Sequence, residues 1–242
     1  MLSLREIASR SMACLLVAVV VGGVVPRTSA QETTSQLQFK RPPELNAQYH
    51  RAEAAWQSGS SLLEAKTRVD KVLEVLPDDG PALKLRAKVL MELDRPDEAL
   101  EDAQRAVAID PRDGDAHLVL CHVARVLGRN TLAEEALMRA ASLLVEDPAA
   151  HIHLSREAEL LNRYDLAEAY ARTAVLQVPD ERSAHLQLAR AFAIQGKSDE
   201  SATILVKAFE ADVLRSSDAR RDSLLAPLMG LPRLQRYSRS NR

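Results

Sequence analysis

The sequence predicts an all-α protein, a solenoid of about five 34-residue helix–turn–helix repeats closed by a short C-terminal capping helix. Three observations carry this. The 242 residues are 46% hydrophobic but only 3% aromatic, with 8 Gly, which suits packed helices and argues against a sheet. Pro81 to Asp110 (PALKLRAKVLMELDRPDEALEDAQRAVAID) reads as a helical hairpin. Small residues then recur every 34 positions: Ala65, Ala99, Ala133, Ala167, Ser201; Val72, Ala106, Ala140, Ala174, Ala208; and Ala87, Cys121, Ser155, Ala189. Such columns mark where helix backbones approach closely.

Residues 1–30 have the pattern of a secretory signal peptide: Arg5 and Arg10, an apolar run from Ala13 to Val25, then small residues up to Ala30. Cleavage near Ala30 would leave a secreted or periplasmic chain, and the alternative is an uncleaved membrane anchor. The run is shorter than the roughly 18 apolar residues of a spanning helix. Losing three Arg and one Glu moves the net charge from −2 to −4, which gives no global attraction to nucleic acid. Cys121 is then the single cysteine, so helix packing alone holds the chain together. Residues 31–45, polar and ending near Pro42-Pro43, read as a flexible leader.

Residues 46–215 form the repeat domain, with units starting near 46, 80, 114, 148 and 182. Asp79, Asp113 and Asp147 precede first helices as N-caps. Gly59, Gly128 and Gly196 end first helices; Asp94 and Asn162 stand at the same corner and are expected to cap second helices. Pro77, Pro111 and Pro179 stop second helices, and Val145 shares their column. The first unit fits worst, placing Glu53 in the small-residue column. Glu101 with Arg105, and Glu135 with Arg139, have the spacing of helix-surface ion pairs. Residues 216–242 form the C-terminal cap and a basic tail, for which contact with an anionic membrane surface is the alternative to a solvated terminus.

The period, the alanine and proline columns and the leucines Leu120, Leu154 and Leu188 resemble those of tetratricopeptide repeat (TPR) proteins, although few aromatic signposts remain. The resemblance implies a right-handed superhelix whose first helices line a concave groove. Read onto this sequence, that face carries a basic column, Lys88, His122, Arg156 and Arg190. Four residues earlier stand Lys84, Leu118, Ile152 and Leu186, and three later Met91, Arg125, Glu159 and Ala193. The terminal-carboxylate clamp of some family members does not carry over, because Lys88 and His122 replace its asparagines.

Chemistry is not expected. Cys121 and Ser155 lie in a packing column with no base or orienting acid assigned to them. His117, His151 and His185 form a ladder whose rungs are too far apart for one metal ion. No catalytic residue, metal or cofactor is assigned, and no nucleic-acid partner. The expected function is an exported protein-interaction scaffold holding an extended or helical partner segment, with an acidic stretch favoured. The alternatives are an envelope assembly factor acting through its ends or cap, and an enzyme accessory subunit.

Overall fold

The structure is a computed structural model that describes residues 41–238. The stretch with the signal-peptide pattern, most of the stretch expected to be a leader and the last four residues of the tail lie outside the described residues. Within them, ten helices form five hairpins: α1 Pro43–Gln57 with α2 Leu62–Val75, α3 Gly80–Glu92 with α4 Pro96–Ile109, α5 Gly114–Val126 with α6 Asn130–Leu143, α7 Pro148–Leu160 with α8 Tyr164–Gln177, and α9 Arg182–Ile194 with α10 Ser198–Glu210. Then come α11 Ser216–Arg221, a 3-10 turn at Ala226–Gly230, and α12 Gln235–Ser238. There is no strand among the described residues, and the all-α solenoid is as expected.

Each first helix from the second to the fourth unit starts on an aspartate cap. The Asp79, Asp113 and Asp147 carboxylates accept from the backbone N–H of Ala82, Ala116 and Ala150 at 3.0, 3.0 and 3.1 Å. Each ends at a left-handed corner, and here one expectation is corrected. Asp94 (φ 58°) and Asn162 (φ 60°) do not cap the second helices; they occupy the left-handed position that Gly128 (φ 70°) fills in another unit. The next residue's N–H then reaches back, Arg95 to the Leu90 carbonyl at 2.9 Å and Arg163 to Ala158 at 2.8 Å, closing the first helix. Asp and Asn tolerate this backbone better than other side-chain-bearing residues.

The first unit is out of step by one. Its corner, Gly59, lies 35 residues before Asp94, because the turn through Ser60 and the cap Ser61 holds an extra residue. Helix α1 starts at Pro43, inside the stretch read as leader, and the buried small residue of the column is Ala52, not Glu53. With that offset Tyr49, Glu53 and Trp56 are the equivalents of Lys84, Lys88 and Met91.

The small columns are buried as expected: Ala65, Ala99, Ala133, Ala167, Ser201, Ala87, Cys121, Ser155 and Ala189 are all fully inaccessible. Where serine replaces alanine its hydroxyl is satisfied across the hairpin. Ser155 Oγ donates to the Ala167 carbonyl at 2.7 Å, and Ser201 Oγ to the Ala189 carbonyl at 2.8 Å. Between the columns Leu83, Leu90, Leu137, Leu154 and Leu205 are fully buried, each contributing about 1.5–3 kcal/mol.

Each first helix packs on its own second helix and on the second helix before it, and consecutive first helices also touch. First helices therefore form a continuous layer, which becomes the inner face. Outside, pairs bridge consecutive units at a 34-residue interval: Arg163 with Glu134 and Lys197 with Glu168, both at 2.8 Å. The expected pairs Glu101–Arg105 and Glu135–Arg139 do not form. Arg105 instead donates to the Pro77 carbonyl at 2.7 Å, because the preceding unit's turn lies within its reach.

The cap is a truncated sixth unit. Helix α11 starts at Ser216, 34 residues after Arg182, but the helical backbone breaks at Asp222 (ψ 124°). Leu225, Leu228, Met229 and Leu234 pack with Leu205, Ala208 and Leu214, covering the end of the last hairpin. Arg233 and Arg236 pair with Asp199 and Glu210 at 2.5 Å each, so part of the tail's charge is spent on α10. Among the described residues no helix is long and apolar enough to cross a membrane.

Candidate functional site

The histidine ladder has a structural role. His117, His151 and His185 each donate from Nε2 to the carbonyl six residues back, Pro111 at 3.1 Å, Val145 at 3.0 Å and Pro179 at 2.7 Å. The carbonyl is an acceptor, so the ring proton sits on Nε2. Each imidazole thus fastens the turn between units in the proline column. Among the described residues no group of three or more His, Cys, Asp or Glu side chains is placed to hold a metal ion. Cys121 is buried and its thiol is pushed up to about 12, chiefly by burial, so a reactive thiolate is not available there.

Two adjoining cavities open on the first-helix face. One, of about 740 Å³, lies along α7 and α9 and is lined by Ile152, Arg156, Leu186, Arg190 and the cap's Asp222. The other, of about 630 Å³, spans α1 to α7 and is lined by Trp56, Lys88, Leu118, His122 and Leu160. His153 and Arg156 line both, so the cavities meet at the middle of α7. Eight of the twelve residues read onto the groove face therefore line these two cavities; Lys84, Arg125, Glu159 and Ala193 do not.

The basic column is not a free positive stripe. Lys84 pairs with the cap carboxylate Asp113 at 2.5 Å. His122 Nδ1 and Arg125 Nε both bond Glu157, at 2.8 and 2.7 Å. Arg190 spans Glu159 and Asp222, at 2.5 Å to each. Lys88 lies over the Trp56 ring, 5.1 Å from its centre, and burial pulls its ammonium below the usual lysine value. Trp56 is fixed in turn by its indole N–H, which donates to Glu92 at 2.6 Å. Arg156 alone in that column is exposed and without an ion-pair or hydrogen-bond partner among the described residues.

The acids that neutralise the column were the part that sequence reasoning missed. Glu157 occupies a position held by Val89, Val123 and Ala191 in other units, and a carboxylate in an apolar column is a signal that a cation must come to it. Burial pushes its carboxyl up, but the hydrogen bonds and charges of His122 and Arg125 pull it further down, so it titrates below the usual range. Trp56 became visible as a groove residue only with the 35-residue offset. Asp222 had no signal, since it reaches Arg190 from a broken helix.

A TPR family model matches residues 80–113, and a second matches residues 154–212. No curated protein matches the chain. Among solved structures the chain is similar to TTC0263, a thermophilic TPR protein of Thermus thermophilus, at 22% identity and TM-score 0.59 over 80% of this chain and 97% of that one. It is also similar to MamA 41-end from Desulfovibrio magneticus RS-1, at 16% identity and TM-score 0.56 over 71% and 96%. A further MamA structure aligns at 21% identity and TM-score 0.54 over 69% and 90%. Likeness at this identity shows the fold alone. By sequence, residues 80–113 and 154–212 match tetratricopeptide repeat models, and the hairpins around them continue the same solenoid.

Proposed function

We propose that the protein is an exported interaction scaffold that holds a segment of a partner protein against its first helices. The observation that carries this reading is Arg156: an exposed, unpaired guanidinium at the junction of two cavities, on a face where neighbouring cations already have partners. Leu160, one turn further along and 50% exposed, adds an apolar step beside it. The face is preformed by helix packing, so little ordering is lost on binding. The cap is the weaker candidate surface, because Leu225, Leu228, Met229 and Leu234 turn inward. Export rests on the signal-like pattern of residues 1–30 and is tested by intact mass from the native compartment, expected to start at Gln31.

The scaffold reading is tested with a photo-crosslinking amino acid placed in living cells at Leu160 or at Glu101 on the exposed side of α4. A discrete protein adduct from position 160, reduced by Arg156→Glu, is the expected result. Adducts from position 101 and none from 160 would move the binding surface off the groove.

A further inference from the structure

We infer that the C-terminal cap is latched to the first-helix face through a hinge at Asp222, which Arg190 holds shut. The latch stands on geometry alone; its use by a bound partner rests on the groove reading above.

The break in the sixth unit has a local cause. Asp222 stands 34 residues after Leu188, in the column that buries Leu120, Leu154 and Leu188 in the third to fifth units. A carboxylate at such a position, without a cation, would be desolvated and unpaired. The backbone turns out of the helix at Asp222 instead, with φ −91° and ψ 124°. The Asp222 carbonyl accepts from the Ala226 N–H at 2.9 Å, so a helical turn resumes at once. Rotating ψ of Asp222 to about −42° would run α11 on into that turn. A change of direction that one residue can absorb is a hinge.

Both oxygens of the Asp222 carboxylate are engaged. Oδ1 accepts from the N–H of Leu224 and Leu225, at 2.9 and 3.2 Å, and so caps the resumed turn. Oδ2 accepts from Arg190 Nη1 at 2.5 Å. The opposite end of that guanidinium is on α7, where Nη2 donates to Glu159 Oε1 at 2.5 Å. Asp222 therefore cannot swing into line with α11 without leaving Arg190. Arg190 cannot follow it without leaving the buried Glu159 to a neutral donor, Gln187 at 2.9 Å.

Arg190 and Asp222 both line the cavity along α7 and α9. An occupant that draws Arg190 aside frees Asp222 and loosens the cap. By linkage, the state of the cap then changes affinity in that cavity by the same factor. Leu225, Leu228, Met229 and Leu234 keep the cap seated through apolar contact, so the opening is local and the cap does not detach.

The test is hydrogen–deuterium exchange on the full chain without a partner, comparing wild type, Arg190→Gln, Asp222→Asn and the double variant. Asp222→Asn keeps an oxygen for Leu224 and Leu225, so it reads the loss of Arg190 and not the loss of the turn's cap. Each single variant should speed exchange across residues 222–230 about tenfold and leave α3 to α6 unchanged. The double variant should exchange no faster than the faster single, because both cut one link. Arg190→Gln also uncovers Glu159, but it does so in both backgrounds, and the four-way comparison removes that contribution. Asp222→Leu restores the leucine column and should slow exchange at residues 223–226 by continuing α11.

Unchanged cap exchange in either single variant overturns the latch. So does a double variant whose acceleration is the product of the two singles, or acceleration spread evenly over α7 to α10. Asp222→Leu exchanging as fast as Asp222→Asn overturns the hinge, since the cap would then have no second conformation to enter. None of these outcomes bears on the crosslink from position 160, which tests the groove reading separately.

Discussion

Glu157 and Glu159 stand two residues apart on α7 and serve opposite neighbours: Glu157 takes His122 and Arg125 from α5, and Glu159 takes Gln187 and Arg190 from α9. Two residues turn a helix by about 200°, which lets one helix hand a carboxylate to each side. The fourth unit is thus clamped to the third and fifth by charge as well as by apolar contact. Both acids are buried, so neither pair is a surface ornament.

Removing one member of such a clamp should cost more than removing the clamp whole. Glu157→Gln leaves Arg125 without its ionic partner and should destabilise by about 1–3 kcal/mol. Glu157→Val with Arg125→Leu restores the apolar character of that column and should recover most of the loss. Thermal melts of the wild type and both variants decide this. A double variant no more stable than the single would mean that the ion pair itself holds the units together.

What the sequence showed and what it hid divide along sequence distance. Ala99 and Ala133, or Asp79 and Asp113, repeat because each unit solves the same local packing and capping problem, and a fixed period exposes them. The one-residue insertion at Ser60 breaks that period in the first unit, so a strict 34-residue step lands on Glu53 instead of Ala52 and misses Trp56. Asp94 and Asn162 misled for a different reason, since the same side chains favour both N-caps and left-handed corners. The charge partners were hidden because Arg125 and Glu157, or Arg190 and Asp222, are 32 residues apart and meet only once the units stack.

Gly80 and Gly114 open equivalent first helices, yet they should respond differently to alanine. A Cβ at Gly80 would meet Ile109 Cγ2 at 3.9 Å, an ordinary contact, whereas at Gly114 it would lie 2.5 Å from Leu144 Cγ. Gly80→Ala should be neutral or stabilising by up to about 1 kcal/mol. Gly114→Ala must displace Leu144 and should cost about 1–3 kcal/mol. Denaturant midpoints with matching slopes check the pair. A Gly114→Ala protein as stable as wild type would mean that Leu144 has room to turn away.

Acid should unfasten the outer bridges in a defined window. Burial pushes the Glu168 carboxyl up, but hydrogen bonds from Lys197, Arg172 and Gln195, with the Lys197 charge, pull it down to about 2 from an ordinary 4.5. A carboxyl lowered in the folded state stabilises above its unfolded value, and that contribution is lost as pH falls toward the folded one. The stability difference between wild type and Glu168→Gln should therefore be constant above about pH 5 and shrink between pH 4.5 and 2. Equilibrium unfolding across that range measures it. A difference that persists unchanged to pH 2 would show that Glu168 contributes through packing rather than charge.

The groove makes a prediction about rates. Lys84, Arg125 and Arg190 are tied to acids of the same molecule, so reversing Arg190 would also release Glu159 and Asp222 and disturb the cap. Arg156 can be reversed without breaking a pair, which makes Arg156→Glu the clean test. Its helix content and melting temperature should match wild type, because the side chain is exposed and lies outside the packed columns. Partner association should slow, since an exposed charge acts by steering, while dissociation of the apolar contact changes less. Raising salt from 0.1 M to 1 M shortens the Debye length from about 10 Å to about 3 Å and should erase most of the gap in association rate. Leu160→Ser should do the reverse, speeding dissociation at every salt concentration because it removes buried apolar area and no field. Rates of the native partner, once captured through position 160, measured on all three proteins would separate these effects. If Arg156→Glu alters only dissociation, and equally at both salts, then Arg156 makes a buried contact and long-range steering has no part in recognition.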